Sequence, residues 1–188
     1  NNKKNINVPI GSTLSEIFSL TGLKMEYGPV SCKVNNVVEG LHYRLYNNKD
    51  LEYVDLYSSS GLRNYTRSLF FVLCKAVHDL YPKSSVVIDI PVSNGYYCNL
   101  ELGHPVGLED VDKIRTRMQE IVDAKMPIRR YVVPTEDAIR MFEEKGDLAK
   151  VKLLKSAGKL YTTYYKIDDY VDYYYGSLLT NTKYLYLF

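Results

Sequence analysis

Between Arg63 and Tyr81 the chain is committed to a helix. Leu69, Leu73, Ala76 and Leu80 recur at helical spacing, Phe70 and Val77 widen the apolar stripe, and Pro82 ends it. Such a stripe must be laid against another apolar surface, and the following segments supply strands. Val86 to Ile90 and Tyr96 to Leu102 flank Asn94-Gly95, the strongest short hairpin signal in the chain. A second long helix is predicted over Glu109 to Ala124, with Val111, Ile114, Met118, Ile121 and Val122 on one face. Ile128 to Val133 reads as a strand, Thr135 as the cap of a helix running to Gly146, and Asp147 to Ser156 as a shorter helix. Tyr161 to Tyr165 and the alternating tail Tyr184 to Phe188 read as extended. Helices interleaved with an antiparallel sheet define an α+β class.

The segment before this helix has its own grammar. Ile6 to Ile10 is a short extended run ended by Gly11, and Thr13 with Glu16 forms a capping box opening a helix over Leu14 to Leu20, which Gly22 stops. Val30 to Val34 and Val37 to Leu41 are strands joined by Asn35-Asn36, a pair suited to left-handed turn positions. Glu52 to Tyr57 is a further strand. One short helix crossing a small mixed sheet is the plan of a ubiquitin-like β-grasp. Ser58-Ser59-Ser60-Gly61 is the clearest composition break and is read as a linker, giving domains 1–60 and 61–188.

Composition narrows the function classes. With 24 Lys plus Arg against 22 Asp plus Glu, the net charge of +2 does not by itself point to nucleic acid or an anionic membrane. Cys32, Cys74 and Cys98 are scattered and odd in number, which speaks against a disulfide scaffold and a thiolate zinc site and for a reducing, cytoplasmic setting. No apolar run approaches the length of about 18 residues needed to span a bilayer, and residues 1–5 lack signal-peptide character. The 19 tyrosines, alongside many Asn, Lys and Ile, match the output of an AT-rich genome. The chain lacks an initiator Met and ends on an open strand-like run, so a longer parent is expected.

Chemistry that would announce an enzyme is missing. There is no Gly-Lys-Ser/Thr phosphate loop and no dinucleotide fingerprint, and His42, His78 and His104 are too far apart in sequence for a local metal pair. A nucleophile elbow is absent too. His78 falls off the apolar rows of its helix and reads as solvated; Cys74 lies near the core face and reads as an inert thiol. Arg115, Arg117, Arg129, Arg130, Lys150, Lys152, Lys155 and Lys159 are either a basic strip for phosphates or a solvated surface balanced by Glu136, Asp137, Glu143 and Glu144. The solvated surface is the simpler reading.

Ile10-Gly11-Ser12-Thr13-Leu14, Val34-Asn35-Asn36 and the strand at Tyr53 resemble a TGS domain, the β-grasp module of threonyl-tRNA synthetases, certain GTPases and stringent-response enzymes. The remainder resembles the editing domain that follows TGS in threonyl-tRNA synthetase. Its marks are Leu80-Tyr81-Pro82, Asn94-Gly95-Tyr96-Tyr97, Asp112-Lys113-Ile114, Asp169-Tyr170-Val171-Asp172 and Gly176. In that family a His-x-x-x-His pair and a Cys-x-x-x-His pair form a metal-binding or hydrolytic centre. The matching positions here are Arg67, Phe71, Tyr174 and Leu178. A guanidinium repels a metal, phenyl and isobutyl groups have no lone pair, and a phenol is a poor substitute for a thiolate. The resemblance therefore implies the fold without its catalytic or metal-binding residues.

Lys33-Val34-Asn35-Asn36, Leu45-Tyr46-Asn47-Asn48-Lys49-Asp50 and Val171-Asp172-Tyr173-Tyr174-Tyr175-Gly176 also resemble the N-terminal half of Bacteroides-type uridine kinase-like nucleoside kinases. That likeness implies a non-catalytic regulatory module of an ATP-dependent transferase. Its P-loop kinase domain would lie beyond residue 188 and use ATP and magnesium, while this segment needs no cofactor. Arg67, Phe71 and Tyr174 would then line a former editing cleft suited to a nucleotide or RNA. The partners would be the kinase domain, such a ligand, or a second copy of the chain, and no membrane. The alternatives are an editing-type deacylase using non-standard residues and a structural oligomerisation adaptor.

Overall fold

The computed structural model describes residues 3–93 and 95–186 and is a mixed α+β fold. Helix α1 (Leu14–Thr21) begins at the predicted capping box: the Glu16 amide donates to Thr13 Oγ1 at 3.2 Å and the Thr13 amide to Glu16 Oε2 at 2.7 Å. Strands β1 (Ser31–Val34) and β2 (Val37–Glu39) are joined by Asn35 and Asn36, both left-handed at φ 47° and 69°. β3 (Leu51–Val54) pairs with the other side of β1, giving an antiparallel sheet in the order β2-β1-β3. Leu14, Ile17, Cys32, Val34, Leu41 and Leu45 form one apolar core between α1 and this sheet. Ile6 to Ile10 belongs to no strand; the chain there makes its nearest ladder contact as the lone bridge Thr13↔Arg44. The sheet is therefore antiparallel throughout, where a mixed one was expected.

Ser58-Ser59-Ser60-Gly61 is not a linker loop but the start of helix α2 (Ser59–Leu80). The Ser58 hydroxyl accepts the Gly61 amide at 3.0 Å, and the helix stops before Pro82. Gly61 is buried, and a Cβ there would collide with the Asp55 carbonyl oxygen and stand 2.7 Å from Val30 Cγ2. Serines and a glycine serve here as cap and close-packing contact rather than as flexible chain.

The buried stripe of α2 is rotated from the row that hydrophobicity marks. Asn64, Tyr65, Ser68, Phe71, Val72, Lys75 and Ala76 face inward, while Leu69 and Leu73 are half-buried and Leu80 exposed. The polar members are tolerated because each has partners. Ser68 Oγ donates to the Asn64 carbonyl and accepts the Leu179 amide, both at 2.8 Å. Lys75 Nζ reaches Asp79 and Asp169, each at 2.7 Å. Burial works against the Lys75 ammonium, yet the two carboxylates outweigh it and raise its pKa.

Strands β4 (Ser85–Val92) and β5 (Gly95–Glu101) form a two-stranded hairpin; of its Asn94-Gly95 turn, Asn94 lies outside the described residues. Helix α3 (Leu108–Asp123) packs on α2 through Ile114, Met118, Ile121 and Val122. β6 (Arg129–Pro134), β7 (Tyr161–Ile167) and β8 (Tyr170–Tyr173) make a second antiparallel sheet in that order. Helices α4 (Thr135–Glu144) and α5 (Leu148–Ala157) lie between β6 and β7 in sequence and bury Ala138, Phe142, Val151 and Leu154. Thr135 is the first residue of α4 rather than its cap, and its hydroxyl is 2.9 Å from that of Thr162 on β7. Among the described residues the tail forms no strand: Thr182–Tyr184 is a single tight helical turn and Leu185 is buried, while Leu187 and Phe188 lie outside the described residues.

Val30 of the N-terminal segment packs into the larger core with Phe71, Ile128, Tyr165, Leu178 and Leu179. His42 completes the join: its Nε2 is 2.7 Å from the Ile128 carbonyl, so that nitrogen carries the proton, and its ring lies edge-on to Tyr165. No helix among the described residues is long and apolar enough to cross a membrane.

Candidate functional site

The join between the N-terminal segment and the second sheet leaves a cleft of about 510 Å³. Three pieces of chain far apart in sequence wall it: the end of β2 with the turn that follows it to Tyr43, the first two turns of α2, and β6 and β7 with the end of β8 and the segment after it. Arg63, Arg67, Arg130 and Lys159 all line it, and Glu39 is the one carboxylate among its lining residues. Among the described residues none of these four cations forms an ion pair.

Arg67 enters the cleft because Gly176 lets it: Gly176 has φ 108°, and a Cβ there would lie 2.7 Å from Arg67 Nη1. That nitrogen donates to Asn64 Oδ1 at 3.2 Å, and Asn64 is itself held by the Ser177 hydroxyl at 3.0 Å. At the floor, the Tyr165 hydroxyl donates to the Gly176 carbonyl at 3.0 Å. Burial raises the Tyr165 pKa, while the Arg130 and Arg67 charges oppose the rise. Burial also raises the Glu39 carboxyl pKa against the pull of Arg130.

The four positions singled out in the sequence divide into wall and core. Arg67 and Tyr174 line the cleft. Phe71 and Leu178 are fully buried behind it, so Phe71 supports the wall and does not present its ring to a ligand. Phe71 packs against Tyr170 and Tyr174, with ring centroids 5.4 and 5.6 Å apart. Burial raises the pKa of both tyrosines, so both hydroxyls stay protonated. The Cys74 thiol beside them is pushed up to about 12 by burial and is no nucleophile near neutrality, in line with its reading as inert. Asp172 is occupied by Lys150 Nζ at 2.8 Å, the Tyr170 hydroxyl at 2.9 Å and the Tyr173 amide at 2.6 Å. Among the described residues no group of three or more His, Cys, Asp or Glu is placed to hold a metal.

The basic strip dissolves in part into ion pairs, but of the four acidic partners expected for it only Glu143 takes part among the described residues. Arg117 pairs with Asp79 and Glu120, Lys150 with Asp147 and Asp172, and Lys155 with Glu143. Arg130 and Lys159 instead face the cleft, where they join Arg63, which nothing in the sequence marked. His78 is exposed, as read, with its ring 5.3 Å from that of Tyr170.

A mixed α+β fold holding a basic, tyrosine-lined cleft of this kind is the class defined by the structure. Comparison with protein-family models gives no match. Among curated proteins the chain is similar to threonine–tRNA ligases. It is 28% identical over 163 residues to that of Acetivibrio thermocellus, covering 86% of this chain and 26% of the relative. To that of Carboxydothermus hydrogenoformans it is 30% identical over 150 residues, covering 79% and 22%. To that of a Geobacter species it is 26% identical over 178 residues, covering 95% and 28%. The chain thus spans about a quarter of the length of these relatives. The resemblance to threonyl-tRNA synthetases is supported; the uridine kinase parent is not.

Proposed function

We propose that the chain is a TGS-plus-editing-like module, divided near residue 60, that holds the 3′ end of a tRNA in its cleft without hydrolysing an ester bound there. The observation that carries the reading is that Arg63, Arg67, Arg130 and Lys159 line one cleft against a single carboxylate, Glu39. Unpaired cations in a walled groove are the ordinary means of gripping phosphates, and the names of the relatives point to tRNA as the source of those phosphates.

Retention without hydrolysis follows from the chemistry of the wall. The positions that the editing resemblance assigns to metal or hydrolytic residues hold a permanent cation, a phenol kept protonated, and two side chains sealed in the core. No group in that set can take a proton from water or bind a metal. A deacylase working through other residues is the competing outcome, and one pair of measurements separates the two. The chain is expected to bind tRNA and its 3′-terminal oligonucleotide by fluorescence anisotropy, and to release no amino acid from mischarged tRNA above the spontaneous rate. Release above that rate would establish the hydrolase; absence of binding at low salt would overturn the reading altogether.

A further inference from the structure

Three tyrosines follow one another at 173–175, and the third faces outward. Tyr175 is 78% exposed and Tyr161, on β7, 63%; both line the mouth of the cleft. Lys159 Nζ stands over the Tyr175 ring, 5.2 Å from its centroid. These rings take no part in the core, and unlike the exposed Tyr46 and Tyr57 they line this cleft. The ammonium sits within cation–π range of the Tyr175 ring, which stays mostly in solvent. Arg130 lies on the same wall, with its Nη2 3.4 Å from the hydroxyl of Thr163, which like Tyr161 belongs to β7.

We propose that Tyr175 and Tyr161 form a base-stacking platform at the cleft mouth, which receives unpaired nucleotides of a single RNA strand whose phosphates run to Arg130 and the cations deeper in. The proposal rests on the cleft reading above and adds the ligand class: a single strand with bases, rather than a phosphate group alone or a duplex. Stacking explains why the rings are aromatic and exposed, and charge explains why lysine and arginine accompany them. An aromatic ring accepts any base, so the platform grips without reading sequence. A duplex keeps its bases stacked on one another and offers nothing to the rings.

The test compares two synthetic oligoribonucleotides of equal length and charge, one with bases and one carrying abasic ribose at its central positions. Wild type is expected to bind the base-bearing strand at least about 5- to 150-fold more tightly, the range for a single stacked base. In Y175A/Y161A that preference disappears, while affinity for the abasic strand is unchanged. Because both rings are exposed, the double variant is expected to melt with the wild type, which circular dichroism checks. R67A weakens both strands and leaves their ratio intact. Equal binding of the two strands by wild type, or an unchanged ratio in the tyrosine variant, overturns the platform and leaves the basic cleft standing. Indifference of both strands to R67A overturns the cleft reading instead. Tight capture of a blunt duplex in preference to either strand would also overturn the platform.

Discussion

Phe71→Ala is the perturbation that separates a plugged site from an open one. The ring is fully buried in the largest core, against Tyr170 and Tyr174 on one side and among Val72, Leu178 and Leu179. Truncating a buried phenylalanine costs about 3–5 kcal/mol, from lost transfer free energy and the cavity left behind. Two aromatic neighbours, each contributing about 0.5–1.5 kcal/mol beyond area burial, place the expected loss near the middle of that range, about 4 kcal/mol. With a urea slope of about 2 kcal/mol per molar, the midpoint should fall by about 2 M. Arg67→Ala, one turn earlier on α2, removes a cleft side chain with one hydrogen bond to Asn64 and should cost no more than about 1 kcal/mol. Equilibrium urea unfolding followed by circular dichroism measures both. A loss below about 1 kcal/mol for Phe71→Ala would show that the ring fills no core, and the claim that the hydrolytic centre has been replaced by packing would fall with it.

Gly61→Ala should destabilise by about 1–3 kcal/mol, read as a lowered melting temperature, because the new methyl meets the Asp55 carbonyl oxygen, a backbone atom that cannot swing away. For His42, burial lowers the imidazole pKa from 6.5, so the fold favours the neutral ring. The unfolded chain then binds the proton more readily, and the stability owed to this group is intact above pH 6.5 and is lost as pH falls through the lowered value. Urea midpoints at pH 7.5 and 5.5 should therefore differ more in wild type than in His42→Gln, which retains a donor for the Ile128 carbonyl; equal differences would refute the assignment. Cys32 and Cys74 are both pushed up to about 12 by burial, so Ellman's reagent at pH 8 should modify Cys98 first and the other two only on unfolding. Rapid labelling of Cys74 in the native protein would contradict the packing described for it.

Local signals were legible wherever the physics is local. The capping box at Thr13 and Glu16, the paired left-handed asparagines, the stop at Pro82 and the α3 stripe stand where the sequence puts them, except that Val111 of that stripe is exposed. Misreadings arose where tertiary contact changes the meaning of a residue. Serines 58–60 with Gly61 look like a linker because their composition is that of a loop, yet a cap and a close contact use the same residues. The inward face of α2 is hidden in the sequence because Asn64, Ser68 and Lys75 count as polar there, and each takes one of its partners from more than 90 residues away. β8 (Tyr170–Tyr173) was hidden by its tyrosines, which composition alone assigned to codon usage. Of the site, Arg67 and Tyr174 were reachable through the editing resemblance. Arg63 and Glu39 were not, since nothing local says that the turn after β2 and the start of α2 face β7 across a cleft.

The central claim is that the cleft grips the phosphates of an RNA end through its cations. Anisotropy titration of a tRNA 3′-terminal oligonucleotide against the wild-type chain and Arg67→Ala, over a range of salt concentrations, tests it directly. Affinity should fall steeply with salt, with a slope of about 0.7 per phosphate neutralised on a single strand, and Arg67→Ala should reduce that slope by roughly one contact. Binding that ignores salt, or that Arg67→Ala leaves untouched in both affinity and slope, would contradict it.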